Sequence, residues 1–381
     1  RTAAADARAG PGLARLRAAA GNPRTEVLPT PYVPIDAPSL DAGGLGDRVP
    51  TEYALGDEVL RRALGAGPTD PRTATFIDPV DDATLDRLRD RLVTRVAVRD
   101  GALVPVEHQF TPARKFEIAT GTGRSEGAAT APFVERLLDG DAPPAVRVAR
   151  VVAALAEVAY EEPGVARGLV IAPPTNWNPD AATVGRLLDA LRGFPLVEPV
   201  TLSGFFDRVS TEGDDRDAVR TLAPGDPPPP SVTPEEYHFA AERLRSYAAV
   251  VGADDPSTAD AERALHTALA SDIDAERARA ELDRVERTVR SLTDAVHVDA
   301  KRITVTSREA SVPLTFENRT DPARTVKVRV SITSDKLRLP GGGDRVLDLA
   351  PGRTVVPVSV EVRASGTLDR KSTRLNSSHR T

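Results

Sequence analysis

The sequence predicts an α/β region, a partial (β/α) barrel-like domain, followed by a helical layer and then a truncated immunoglobulin-like β-sandwich. Three patterns carry this reading. Up to residue 209, short β-branched runs alternate with amphipathic helices at a spacing of roughly 20–35 residues, as repeated βα units do. From 233 to 296 the apolar spacing is helical throughout. After 297 it switches to a period of two, with turn residues between short runs. The expected domains are 1–209 (barrel-like), 210–232 (acidic and Pro-rich linker or loop), 233–296 (helices), 297–368 (sandwich) and a foreign tail, 369–381.

In order, the expected strands of the first region are 26–33, 73–78, 95–100, 168–172 and 197–202. The run Gly168-Leu169-Val170-Ile171-Ala172 is continuously apolar, the pattern of a strand buried on both faces. Between the strands, 51–64 reads as a helix capped by Thr51, with Leu55, Val59, Leu60 and Leu64 inward. A second helix follows Asp81 or Asp82, with Leu85, Leu88 and Leu92 on one face. Two more cover 146–160 and the residues after Asp180. The Gly- and Thr-rich segment 105–130 reads as a surface loop or short hairpin. Thr233-Pro234-Glu235-Glu236 has the form of a capping box with Pro at the first helical position. It opens helices at 234–250, 257–270 and 273–295, the first with Phe239, Leu244 and Tyr247 inward. In the sandwich, Val326, Val328, Val330 and Ile332 alternate with polar residues, as do Val356, Val358, Val360 and Val362.

Composition excludes several functions. The absence of Cys removes disulfides, thiolate metal sites and a Cys nucleophile. His108, His238, His266 and His297 are not paired at metal-ligand spacing, and no Gly-rich phosphate fingerprint follows a strand, so no metal or cofactor is expected. The net charge of −6 with mixed signs argues against a nucleic-acid partner. No apolar run reaches the ~18–20 residues of a membrane span. Met is absent and residue 1 is Arg, so the chain is expected to be a piece of a longer one. Residues 369–379 resemble the in-frame translation of a sequencing-library adapter, and the tail is expected to play no part in the fold.

In a (β/α) barrel, functional residues gather at the C-terminal ends of the strands. Those positions here include Tyr32, Asp36, Asp78, Asp100, Asn176, Trp177, Asp180 and Ser203. Asp36, Asp78 and Asp100 are the candidate catalytic residues, since glycoside hydrolysis needs two facing carboxyl groups. Asp after a strand is also a common helix cap, which is the better account of Asp180. Tyr32, Asn176 and Trp177 are the candidate ligand-binding residues. Trp177, the single tryptophan, offers a face on which a sugar ring could stack, or it plugs the barrel mouth.

The segments Leu169-Val170-Ile171-Ala172-Pro173-Pro174-Thr175-Asn176-Trp177-Asn178-Pro179 and Val312-Pro313-Leu314-Thr315-Phe316-Glu317-Asn318, with Leu347-Asp348-Leu349-Ala350-Pro351-Gly352, resemble the actinobacterial envelope protein family of unknown function DUF6049. The resemblance implies a secreted protein with a signal peptide upstream and one transmembrane anchor downstream of this chain. It also implies a place near cell-wall assembly, because genes of the family often sit beside a lipid II flippase gene. It brings no enzymatic activity. The order of barrel, helices and sandwich is also similar to family 57 and family 38 glycosidases and to polysaccharide deacetylases, at the level of fold. The leading expectation is therefore an extracytoplasmic, membrane-anchored envelope protein whose non-catalytic barrel binds a cell-wall polysaccharide or a wall-synthesis membrane protein. The alternatives are a glycan-active hydrolase or deacetylase-like enzyme, and a structural spacer.

Overall fold

The computed structural model describes residues 2–76, 80–107, 110–139, 142–173, 177–211, 218–299, 309–320, 323, 325–331, 337–338, 340 and 344–362. Asp78, Asn176, Ile332 and the tail 369–381 lie outside them. The chain divides into two compact units, 1–230 and 231–381. No helix among the described residues is long and apolar enough to cross a membrane.

The first unit is a mixed α/β fold. It opens with α1 (Thr2–Ala20), α2 (Ala37–Ala42) and α3 (Arg48–Leu64), followed by β1 (Thr73–Phe76), α4 (Asp82–Arg89) and β2 (Arg95–Val98). Next come the hairpin β3 (Phe116–Ala119) and β4 (Arg124–Ala129), then α5 (Pro132–Asp139), α6 (Pro144–Glu161), α7 (Ala181–Gly193), α8 (Leu202–Arg208) and β5 (Val219–Arg220). The strands form one sheet in the order β1-β2-β4-β3-β5. β1, β2 and β4 run parallel, with Ala74 beside Val96 and Val96 beside Gly127. The 105–130 segment thus holds the hairpin, and β4 takes a central place in the sheet. Gly127 permits this, because a Cβ there would lie 2.6 Å from the Phe116 ring.

Three expected strands do not form as such. Segment 26–33 is extended coil, because Pro29 and Pro31 carry no N–H for a ladder. It is tied instead by Val27 N–H to Thr69 Oγ1 (3.0 Å) and Tyr32 N–H to the Glu52 carbonyl (2.9 Å). The 168–172 run makes one parallel bridge, Val170 beside Thr130, and Ile171 is exposed rather than buried on both faces. The prolines that follow it remove further donors. At 197–202, Pro199 interrupts the run and Thr201 caps α8 by accepting from Gly204 N–H. Helical faces also shift. In α3 the buried residues are Val49, Glu52, Tyr53 and Gly56, and Val59 is exposed. Leu92 lies past the end of α4, exposed at φ 68°. Asp81 and Asp180 cap α4 and α7 as expected of cap residues.

At the N-terminal ends of the parallel strands, Arg95 bridges Glu126 (2.8 Å), Asp207 (2.8 Å) and Asp70 (3.7 Å), with its guanidinium over Phe206. Burial pulls the Asp70 and Glu126 carboxyls upward. Hydrogen bonds outweigh it, from Arg72 and Thr73 on Asp70 and from Lys115 and Arg95 on Glu126, so both sit below their ordinary values. A carboxyl lowered in the folded state stabilises above its unfolded pKa, and that contribution is lost as pH falls through the folded one. Thermal melts are therefore expected to hold steady from about pH 7 down to about pH 5 and to drop below about pH 4. A melting temperature that rises on acidification below about pH 4 would contradict this account.

The second unit begins with the predicted helical layer, α9 (Pro234–Val251), α10 (Pro256–Thr267) and α11 (Ala275–Ala295). The Thr233–Glu236 capping box is formed in both directions. The inner face of α9 is Tyr237, Ala240, Leu244 and Tyr247, and Phe239 points outward beneath Arg243. The strands are β6 (Val296–Asp299), β7 (Glu309–Asn318), β8 (Val326–Ser331), β9 (Leu337–Arg338), β10 (Asp344–Leu349) and β11 (Gly352–Val362). They form a four-stranded sheet, β6-β7-β11-β9, and a two-stranded one, β10-β8. Both contribute to one core of Leu314, Phe316, Val326, Val328, Val330 and Val358 with their neighbours. The alternation along β8 and β11 buries one side of each, as a period of two requires.

Candidate functional site

A cleft of about 570 Å³ opens where β1, β2 and β4 end. This is the position parallel strands give to functional residues, because each strand delivers its following loop to the same side. Val80 and Asp81 follow the β1 end, Arg99 to Ala102 follow β2, and Thr130 and Pro132 follow β4. Asp36, from the coil before α2, and Glu135, from the first turn of α5, complete the floor. The far wall is the strap 223–228, rich in proline.

Each carboxylate has a local reason for its place. Asp36 Oδ1 accepts from Ser39 N–H (3.0 Å) and starts α2. Asp81 Oδ1 accepts from Thr84 N–H (2.8 Å) and Oγ1 (2.5 Å) and starts α4. Asp100 begins a single 3₁₀ turn. Its Oδ1 lies 4.0 Å from the buried Arg220 guanidinium, which stacks over Phe116 and donates to the Val104 carbonyl. Glu135 is only 9% exposed. Its Oε2 meets Arg99 at 3.4 Å, and its Oε1 is buried without a hydrogen-bond partner among the described residues. Such an acceptor is costly to leave unmade.

The strap is anchored at both ends. Leu222 bridges Leu103, and Ala223 N–H donates to the Ala102 carbonyl (2.9 Å). At the other end Ser39 Oγ donates to the Pro228 carbonyl (2.6 Å), and Gly43 allows the Pro230 ring to close on α2. Within 210–232, expected to be a linker or loop, residues 219–220 form the sheet edge and 223–228 the cleft wall.

Of the residues singled out from sequence, Asp36 and Asp100 come together in this cleft. Asp78 and Asn176 lie outside the described residues. Tyr32 does not line the cleft; its backbone is held against α3. Trp177 does not line it either. It packs, half-buried, against the Val134, Leu138, Val151 and Leu155 cluster, with Leu187 and Phe194. Glu135, Asp226 and Arg99 were not anticipated. Glu135 was legible in principle: it stands in the first helical turn after the strand that 124–129 forms. Among the described residues no group of three His, Asp or Glu is placed to hold a metal ion.

Residues 124–374 match the family of unknown function DUF6049. No curated protein matches the chain. Among solved structures, the 4-alpha-glucanotransferase from Thermococcus litoralis is similar with a TM-score of 0.51 at 12% identity, over 85% of this chain and 57% of that one. An alpha-mannosidase from Enterococcus faecalis V583 gives a TM-score of 0.43 at 11% identity, over 96% and 51% respectively. The chain thus spans little more than half the length of either enzyme. At this identity the glucanotransferase likeness concerns the fold alone.

Proposed function

The chain belongs to the DUF6049 family of unknown function, and we propose that its cleft binds a saccharide chain without cleaving it. The observation that carries this reading is the gathering of Asp36, Asp81, Asp100 and Glu135 at one end of the parallel strands, under an anchored strap. Carboxylates so placed accept hydrogen bonds from the paired hydroxyls of a sugar, and proline rings provide apolar contact. The fold-level likeness to a glucanotransferase supports the choice of ligand. Turnover would need two carboxyl groups free to act on a glycosidic bond. Asp36 and Asp81 hold helix starts and Glu135 is engaged by Arg99, which leaves Asp100.

A hydrolase using Asp100 and Glu135 is the second reading, favoured by the unpartnered Glu135 Oε1. Calorimetric titration with cell-wall polysaccharide fragments, with product analysis of the same mixtures, separates the two. Binding without new reducing ends is expected, and Asp100→Asn is expected to weaken it by about tenfold, as loss of a charged acceptor does. Hydrolysis by the wild type that Asp100→Asn abolishes would install the enzyme reading. No binding would leave a structural spacer.

The family segments further support a place on the outer side of the cell membrane, anchored by a span beyond this chain, beside a wall-synthesis membrane protein. Protease digestion of the protein on intact cells checks this. The two sheets of the second unit suit an immunoglobulin-like sandwich.

A further inference from the structure

We propose that the strap 223–228 is a latched gate on the cleft: Ser39 Oγ is its latch, Gly225 its joint, and release of the latch lets this wall swing outward. The gate serves whatever ligand the cleft takes. Between Pro224 and Pro230 only Gly225 and Asp226 are not proline. Proline fixes its own φ and restricts the residue before it, so Asp226 is constrained as well. Gly225 is the one residue free of both limits. Its Cβ position is open, and among the described residues no hydrogen bond ties it or Asp226. Beyond this joint, Pro227 to Pro230 make a stiff arm, as consecutive prolines do.

The arm is held by one hydrogen bond and one packed ring. Ser39 Oγ donates to the Pro228 carbonyl at 2.6 Å. The Pro230 ring lies on Gly43, where a Cβ would stand 2.3 Å from its Cγ. The ring contact is at the end of the arm and serves as the pivot. The hydrogen bond, two residues nearer the joint, holds the arm inward. Opening it costs little, because Pro228 is exposed and its carbonyl meets water on release. The buried Ser39 hydroxyl then turns to a carbonyl of the preceding turn, as helical serines do. The same serine reaches the cleft surface, since its N–H donates to Asp36 Oδ1 (3.0 Å). One turn of α2 therefore sets both the strap and a cleft carboxylate, and a ligand held by Asp36 acts on the latch through a single residue.

The chain has no Cys, so a single introduced thiol reports on one place. Thr130→Cys puts it in the cleft, at a buried position just past β4. Ser125→Cys is the control, buried within β4 and away from the cleft lining. The full chain carrying either thiol is treated with a bulky maleimide under native conditions. Adding Ser39→Ala is expected to speed labelling at position 130 by about threefold to tenfold, the weight of one hydrogen bond. Adding Gly225→Ala is expected to slow it by about twofold or more, since alanine narrows the freedom of the joint and meets no atom within 4 Å. Labelling at position 125 should change with neither. The two substitutions thus move the rate at 130 in opposite directions, which a general loss of stability does not do. Equal acceleration of both thiols by Ser39→Ala is unfolding, and overturns the gate. Labelling at 130 that Ser39→Ala leaves unchanged means a fixed wall, and overturns it too. Should Ser39→Ala fold poorly, Gly225→Ala decides alone: a rate at 130 that it leaves unchanged or raises overturns the proposal.

Discussion

Gly56→Ala is expected to destabilise the first unit by about 3 kcal/mol, the upper part of the range for overpacking a tight site. A Cβ at this position would stand 1.8 Å from the Thr30 carbonyl oxygen. The obstacle is backbone, so no rotamer change relieves it. Either α3 or the 26–36 coil must move. Helix propensity opposes this with a gain of only about 1 kcal/mol. For a unit of this size the loss corresponds to a melting temperature lower by roughly 6–12 °C. The same coil delivers Asp36 to the cleft, so ligand affinity should fall in parallel. Gly185→Ala is the control. It lies within α7 with nothing within 4 Å of its Cβ, and is expected to leave the melt unchanged or raise it. Equal melts for the two variants would show that the coil does not press on α3.

Arg95→Met is expected to cost about 2–3 kcal/mol, somewhat less than the ~3–5 kcal/mol for breaking a fully buried pair. Arg95 is 12% exposed and gathers carboxylates from three places: Asp70 before β1, Glu126 in β4 and Asp207 in α8. Methionine preserves much of the volume against Phe206 and removes the charge. Solvent at Glu126 and Asp207 tempers the loss. The acid sensitivity should change as well. Without Arg95, Glu126 keeps Lys115 alone, its carboxyl rises, and less stability remains to be lost on acidification. Melts across the pH range read both effects. A variant as stable as the wild type at neutral pH would mean that the network contributes specificity rather than stability.

Local features were readable from residue order because local physics decides them. Asp81, Asp180 and Thr233 cap helices since a side-chain oxygen two or three residues ahead of a free N–H needs no distant partner. The three helices of the second unit and the alternation in β8 and β11 follow from periods of 3.6 and 2. The apolar runs at 26–33, 168–172 and 197–202 were misleading for the opposite reason. A strand exists only when another strand supplies its hydrogen bonds, and proline withholds the donors that would have paired. Which side of a helix lies inward depends on what packs against it, and so α3 presents another face from the one expected, while α9 buries Leu244 and Tyr247 as expected and turns only Phe239 outward. The cleft shows the same division. Asp100 was legible as a residue following a strand, since parallel strands send such residues to one end; Asp36 reaches the same cleft from the coil before α2, as the cap of that helix and not from the strand expected at 26–33. Glu135, Asp226 and the strap reach that end through the course of the chain in space. Nothing within a few residues of Glu135 records that its carboxylate is buried there with one oxygen unmet, because burial is set by what distant segments pack around it, among them Arg99 after β2.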